Sequence, residues 1–263
     1  YPLFEHLAAL ENVVAVPYAL GFDGAWFIDT DAVARARTPR TRAVVLVSPN
    51  NPTGSYLKRD ELGRLLELDL PLVSDEVFAE YPLVPDSRRA LSVLEAQDGL
   101  VLALDGLSKL AALPGLKLAW MAFGGSEVRV GEALARLELI LDTFLSPSIP
   151  VQRALPDILA ARAVAQRAIR ARLQANHTHL EAALTGSPLT ALHVEGGWYA
   201  VLRVPSTRTD EAWTLRALDA GVLVQPGYFF DFGDEPHLIV SLLTPEAAFA
   251  EGITRLAAVV AAE

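Results

Sequence analysis

The chain has 263 residues, of which 52% are apolar and 21% charged, a balance that suits one large or two ordinary globular domains and excludes disordered and collagen-like chains. Its net charge is -10, and no stretch gathers Lys and Arg into a stripe that could track phosphates, which argues against nucleic acid as a partner. The absence of cysteine removes disulfides, thiolate catalysis and thiolate metal sites together.

The chain opens in mid-pattern at Tyr1-Pro2-Leu3-Phe4, with no initiator Met, basic stretch or cleavage site, so an upstream segment is expected. Residues 43–47, Ala-Val-Val-Leu-Val, predict a buried strand that runs into the tight loop Ser48-Pro49-Asn50-Asn51-Pro52-Thr53-Gly54. Asp60, Glu61, Leu62, Leu65, Leu66 and Leu68 have helical spacing, and Leu70 to Ser74 returns to a strand that stops at Asp75-Glu76. A third run, Leu100 to Leu104, ends at Asp105-Gly106-Leu107-Ser108-Lys109, and Leu116 to Phe123 is a further candidate strand. Pro114, Gly115 and Lys117 interrupt the most hydrophobic stretch short of the ~18 residues of a membrane span, so a soluble protein is expected.

From Glu127 to Leu184 the pattern is helical and predicts a long connecting helix. Beyond Gly186-Ser187-Pro188 come short apolar runs at 198–204, 222–224 and 238–243, then a helical tail from Pro245. The expected architecture is α/β, a mostly parallel central sheet with flanking helices in residues 1–165, followed by a smaller α+β domain in residues 166–263. In such sheets polar residues at strand ends converge on the binding crevice, so the loops after Val47, Val73 and Leu104 are where chemistry is sought.

Lysine is scarce: Lys58, Lys109 and Lys117 are the only three, and arginine supplies the remaining positive charge. Arginine neither loses its proton nor forms an imine, whereas lysine does both in a suitable pocket. Two of the three lie in the apolar stretch Leu107 to Trp120, where a snorkelling stem is the ordinary explanation. Asp75-Glu76 reads equally as a helix N-cap with a first-turn acid, and Asn51-Pro52-Thr53-Gly54 as a common turn. Their order tells more: an Asn-Pro turn, an acidic strand end and a lysine, each closing an apolar run of one sheet. An acid, an amide and a lysine so placed are what pyridoxal phosphate needs for its ring nitrogen, phenolic oxygen and aldehyde.

Three stretches resemble the signature blocks of fold-type I, class I/II aminotransferases. They are Ser48-Pro49-Asn50-Asn51-Pro52-Thr53-Gly54, Ser74-Asp75-Glu76-Val77-Phe78, and Leu107-Ser108-Lys109 through Pro114-Gly115-Leu116-Lys117-Leu118-Ala119-Trp120. Gly221 to Gly227 resembles the family's small-domain segment, and order and spacing agree over nearly the whole chain. The resemblance implies a cytoplasmic, homodimeric transaminase that uses pyridoxal 5′-phosphate to move an amino group from a small-molecule amino donor to a 2-oxo acid acceptor. It implies that Lys109 forms the internal aldimine, that Asp75 pairs with the pyridinium nitrogen and that Asn51 bonds the phenolic oxygen. Lys117 stands where the family usually has a phosphate-binding arginine.

Several positions depart from the family's pattern. Phe78 replaces a tyrosine that bonds the phenolic oxygen, and Gly106 replaces a phosphate-binding serine. Ile239 occupies the place expected of the arginine that grips the substrate carboxylate, which leaves Arg203, His237 and Tyr228 as substitute substrate contacts. The upstream segment is expected to carry a phosphate-cradling helix and a ring-stacking aromatic. His177 and His179 are two apart on a helix and make a poor metal pair, so no metal is expected. The same scaffold also supports a lyase or decarboxylase, and a non-catalytic effector-binding domain, which an upstream DNA-binding segment would accompany.

Overall fold

A computed structural model of the chain describes residues 3–233 and 235–262. In chain order it has α1 (Leu3–Leu10), β1 (Leu20–Phe22), β2 (Trp26–Ile28), α2 (Thr30–Ala36), β3 (Val44–Val47), α3 (Arg59–Leu66), β4 (Leu72–Asp75), β5 (Leu100–Gly106), α4 (Leu107–Leu110) and β6 (Ala119–Gly125). The remainder has α5 (Glu127–Leu141), α6 (Ile149–Ala161), α7 (Ala163–Ala183), β7 (Thr190–Ala191), β8 (Tyr199–Arg203), α8 (Asp210–Asp219), β9 (Gln225–Pro226), β10 (His237–Ser241) and α9 (Glu246–Ala261).

The first sheet has the order β3-β4-β5-β6, with β3, β4 and β5 parallel and β6 antiparallel at the edge. Alternation along these strands buries Val44, Leu46, Leu72, Val101 and Ala103 on one face, where they pack with Val33 of α2 and Leu62 and Leu65 of α3. The second sheet, β7-β8-β10-β9, is antiparallel throughout. One of its faces is covered by α7, α8 and α9, through Leu173, Leu180, Trp213, Phe249, Ile253 and Leu256. Phe249, Ile253, Leu256 and Val260 recur at helical spacing, which is why the tail of the chain forms an amphipathic helix.

The helical stretch predicted as one long helix is divided into α5, α6 and α7. Ser146-Pro147-Ser148 breaks it: the residue before a proline is disfavoured in helix, and Pro150 is placed in the first turn of α6, where a missing N–H costs nothing. The apolar run at 222–224 is not a strand; pairing begins at Gln225, opposite Ile239. No helix among the described residues is long and apolar enough to cross a membrane.

The two sheets are tied by backbone as well as side chains. Pro82 bridges Gly196, Leu83 N donates to Glu195 O at 2.9 Å, and Gly197 N donates to Tyr81 O at 2.9 Å. Phe78 and Tyr81, from the segment after β4, enter the core of the second sheet. Gly54 lies at this junction with φ +74, and a Cβ there would meet Val194 Cγ2 at 2.3 Å and Gly196 O at 2.5 Å. Gly54→Ala is therefore expected to lower stability by more than ~1 kcal/mol in urea denaturation, because both backbone conformation and space oppose the methyl group; an unchanged midpoint would contradict this packing.

Candidate active site

The parallel register sets three chain ends side by side. Asp75 pairs with Val47 on one side and Leu104 on the other, so β3, β4 and β5 finish at one edge of the sheet. The ladder continues one step beyond, with Ser48 N donating to Asp75 O and Glu76 N to Leu104 O, each at 2.9 Å. The Asn51 turn, Asp75 and the Lys109 helix all follow from that edge, where crevices of open α/β sheets form.

The turn after β3 is held internally: Asn50 N donates to Ser55 O, Gly54 N to Asn50 O, both at 2.8 Å, and Thr53 Oγ1 to Asn50 Oδ1 at 2.9 Å. This leaves Asn51 outside the turn's own bonding. Its side-chain oxygen is buried and has no hydrogen-bond partner among the described residues, an arrangement that calls for an external donor or a rotated amide.

Asp75 ends β4 and accepts a bond from Val77 N at 3.1 Å, closing a turn rather than capping a helix, so the helix N-cap reading does not hold. Burial raises its pKa, opposed by that hydrogen bond and by the positive charge of Lys109. Glu76 turns the other way and is structural: its Oε1 accepts from Val93 N at 2.8 Å.

Lys109 is carried by the one-turn helix α4, whose backbone is fixed by Leu107 N donating to Leu118 O at 3.0 Å. The Tyr81 hydroxyl donates to Lys109 O, and burial pushes that hydroxyl's pKa up to about 12, so it keeps its proton. The Lys109 ammonium lies 5.3 Å from the Trp198 ring centroid and 5.8 Å from that of Phe78. Trp198 packs edgewise on Phe78 and Tyr81 at 5.2 and 5.3 Å, so these rings form a continuous wall. A Cβ on Gly106 would meet Leu118 O at 2.9 Å, which accounts for glycine at that position.

This sheet edge, with its asparagine turn, carboxylate and lysine, lies inside the stretch matched by the family model for aminotransferase class I and II, residues 1–256. The chain belongs to that family. The glutamate–pyruvate aminotransferase AlaA of Escherichia coli (strain K12) is 29% identical over 163 residues, which are 60% of this chain and 40% of the relative. The homologous AlaA of Haemophilus influenzae is 25% identical over 98% of this chain and 66% of its own length. The chain thus spans at most about two thirds of these relatives. Among solved structures, a double mutant of Thermus thermophilus aspartate aminotransferase is 26% identical with a TM-score of 0.82, covering 98% of this chain and 67% of that one. A Pyrococcus furiosus alanine aminotransferase matches the fold at a TM-score of 0.85 and 24% identity, over 100% of this chain and 68% of that one.

Within this class I/II aminotransferase fold, Lys109 lies near Asp75 and the Phe78 ring, and the Asn51 turn follows the strand that pairs with Asp75, whereas Arg203 and His237 face each other across β8 and β10 of the second sheet. Lys117 is exposed on the turn between α4 and β6, in the left-handed conformation (φ +53). The ordinary explanation, a stem on apolar surface with its head in water, holds for Lys117, and the buried lysine is Lys58, 7% exposed. Ile239 is buried with Leu192 and Val201 and is flanked by Trp26, Tyr199, Phe230 and Phe232, so the position is apolar in environment as well as identity. His237 is buried against Phe232, its Nδ1 2.8 Å from Glu235 O, and burial lowers its pKa. Arg203 lines a cavity of about 350 Å³ with His177, His193 and Phe22, on the far side of β8 from Leu202. Tyr228 is half-exposed beside Phe229. Among the described residues no cluster of three or more His, Asp or Glu is disposed to hold a metal.

One feature escapes a reading of the sequence alone: Asp105 reads as a loop residue but lies within β5, next to the Leu104 that pairs with Asp75. Trp198, which reads as a core aromatic in a stretch that the family resemblance sets near the substrate, forms part of the wall beside Lys109. Burial raises the Asp105 carboxyl to about 6 against a bond from Gly106 N, with Glu76, Asp75 and Glu80 adding to the rise. A carboxyl that binds its proton more tightly folded than unfolded favours the folded state at low pH, and that contribution is lost as pH rises from about 4 through about 6. Asp105→Asn cannot ionise, yet its side-chain oxygen still accepts from Gly106 N. It is expected to melt about 2–5 °C above the parent at pH 7.5, with the difference vanishing below about pH 4, in thermal scans across pH.

Proposed function

We propose that the protein is a transaminase that moves an amino group between an amino acid or related amine and a 2-oxo acid, with pyridoxal 5′-phosphate as cofactor. The observation that carries this reading is the meeting of Asp75 and Lys109 at one sheet edge, close enough for the lysine charge to oppose the rise of the carboxyl's pKa. The buried Asn51 side chain, whose Oδ1 finds no donor among the described residues, fits an amide that is rotated so that its NH2 group meets an acceptor on a bound molecule. The names of the relatives, glutamate–pyruvate and alanine aminotransferases, support the pairing of an amino acid with a 2-oxo acid.

Pyridoxal phosphate, when bound, supplies an aldehyde for an amine and a ring that draws electrons from the substrate's α-carbon. Lys109 would supply that amine, and its Nζ would carry the proton to and from the substrate's α-carbon. Asp75, ionised beside a cationic partner, keeps the ring nitrogen protonated, so its loss harms the chemistry more than retention of the cofactor. The Asn51 amide would donate to the phenolic oxygen without help from Phe78, which offers only a ring. Lys117 supplies charge for the phosphate. Because Ile239 offers no charge to a carboxylate, the donor is oriented by other contacts, for which Arg203, His237 and Tyr228 are the candidates. A division into lobes near residue 165, a homodimer and a cytoplasmic setting complete the proposal.

Borohydride reduction of protein treated with pyridoxal phosphate, followed by peptide mass mapping, tests the assignment. The expected outcome is a phosphopyridoxyl adduct on Lys109 that disappears in Lys109→Ala, while Asp75→Asn retains the adduct but loses at least about 100-fold in amino transfer. An unmodified Lys109 in the full-length protein would overturn the reading.

A further inference from the structure

Lys58 is the one lysine that the proposed chemistry leaves unused, and it is the most buried of the three. Its ammonium bonds the Glu195 carboxylate and lies 3.6 Å from Asp86 Oδ2. Glu195 is 4% exposed, and the same Oε2 accepts from Tyr56 N at 2.9 Å. The partners are 137 positions apart and belong to different sheets' connections, so the pair crosses the junction between the two halves of the molecule.

A buried ion pair pays heavily for desolvation and is weak evidence for stability; its directional bonds, however, permit fewer alignments than apolar contact does. Both partners sit on short backbone leads into the site. Lys58 follows Asn51 by seven residues through a turn with little freedom, and Glu195 precedes Trp198 by three. Between Glu195 and Trp198 lie Gly196 and Gly197; a Cβ at Gly196 would meet the Tyr56 ring at 2.6 Å and Tyr81 O at 2.7 Å. Tyr56 thus receives Glu195 on its backbone and Gly196 against its ring. The carboxylate and this close-packed turn thus share Tyr56, and three residues beyond Glu195 the Trp198 ring lies 5.3 Å from the Lys109 ammonium.

We propose that Lys58 and Glu195 are a positioning pair that sets the Trp198 wall against Lys109. The inference rests on the reading of Lys109 as the reacting amine. It makes Lys58 a residue of geometry rather than of cofactor binding, and it gives the junction between the halves a direct effect on the reaction.

The test compares wild type, Glu195→Gln, Glu195→Asp and Lys58→Arg in the full-length protein loaded with pyridoxal phosphate. Three readouts are followed: kcat and KM for amino transfer, circular dichroism of the cofactor's visible band, and melting temperature. Glu195→Asp keeps the charge but shortens the arm, so it is expected to lose at least about tenfold in kcat and to alter the visible band while remaining folded. Glu195→Gln is expected to behave alike, and so is Lys58→Arg, because a planar guanidinium on a longer arm does not reproduce the geometry of the buried ammonium between Glu195 and Asp86. Wild-type kcat and an unchanged band in folded Glu195→Asp and Glu195→Gln, with only a lowered melting temperature, would overturn the proposal. Should Glu195→Gln not fold, Glu195→Asp decides alone. A wild-type protein without an adduct at Lys109 would instead defeat the transaminase reading, so the two failures are distinguishable.

Discussion

The parallel pairing of β3, β4 and β5 is the constraint on which the rest of the molecule depends. Parallel neighbours must each return by a crossover, and their carboxyl ends therefore lie at one edge. Asp75 pairs with both Val47 and Leu104, and this register brings three sequence-distant loops together, where the Tyr56 hydroxyl donates to Ala79 O and the Tyr81 hydroxyl to Lys109 O. A slip of one residue would turn Asp75 to the opposite face and separate it from Lys109.

The chemistry placed at that edge is electrostatically costly, and the fold meets the cost in different ways. Asp75 is opposed by the Lys109 charge, Glu76 is met by the Ser92 hydroxyl and Val93 N, and Asp105 is left with an elevated affinity for its proton. Lys109 faces rings rather than a direct carboxylate partner, which leaves its amine accessible to chemistry that a tight ion pair would suppress. At the junction the opposite choice is made: Lys58 is locked between two carboxylates and its reactivity is spent on geometry.

Much of this was legible in the amino-acid order. The Val- and Leu-rich runs of β3, β4 and β5 are long enough, and closed by sufficiently clear turn residues, to mark strands and their polar ends. The short β7 and β9 were not, because two-residue pairings leave no periodic pattern, and β9 is defined by partners on β10 rather than by its own residues. The helical stretch after Glu127 misled because propensity carried through Ser146-Pro147-Ser148, where proline stereochemistry breaks it. Asn51, Asp75 and Lys109 stand out in the sequence because each follows or closes an apolar run that forms a strand of the first sheet. Glu195 does not, because its bonds to Lys58 and Tyr56 span more than a hundred residues and locally it reads as a surface acid; Trp198 reads locally as a core aromatic, and only the family resemblance sets its stretch near a substrate. Lys58 was hidden for a related reason, since its neighbours Arg59 and Asp60 suggest an exposed helix start.

A crystal structure of the full-length protein grown with pyridoxal phosphate tests the central claim most directly. The account predicts continuous density from Lys109 Nζ into the cofactor, its ring nitrogen within hydrogen-bond distance of Asp75 and its phenolic oxygen beside Asn51. Cofactor density joined to Lys58 or Lys117, or lying away from the carboxyl ends of β3, β4 and β5, would contradict it.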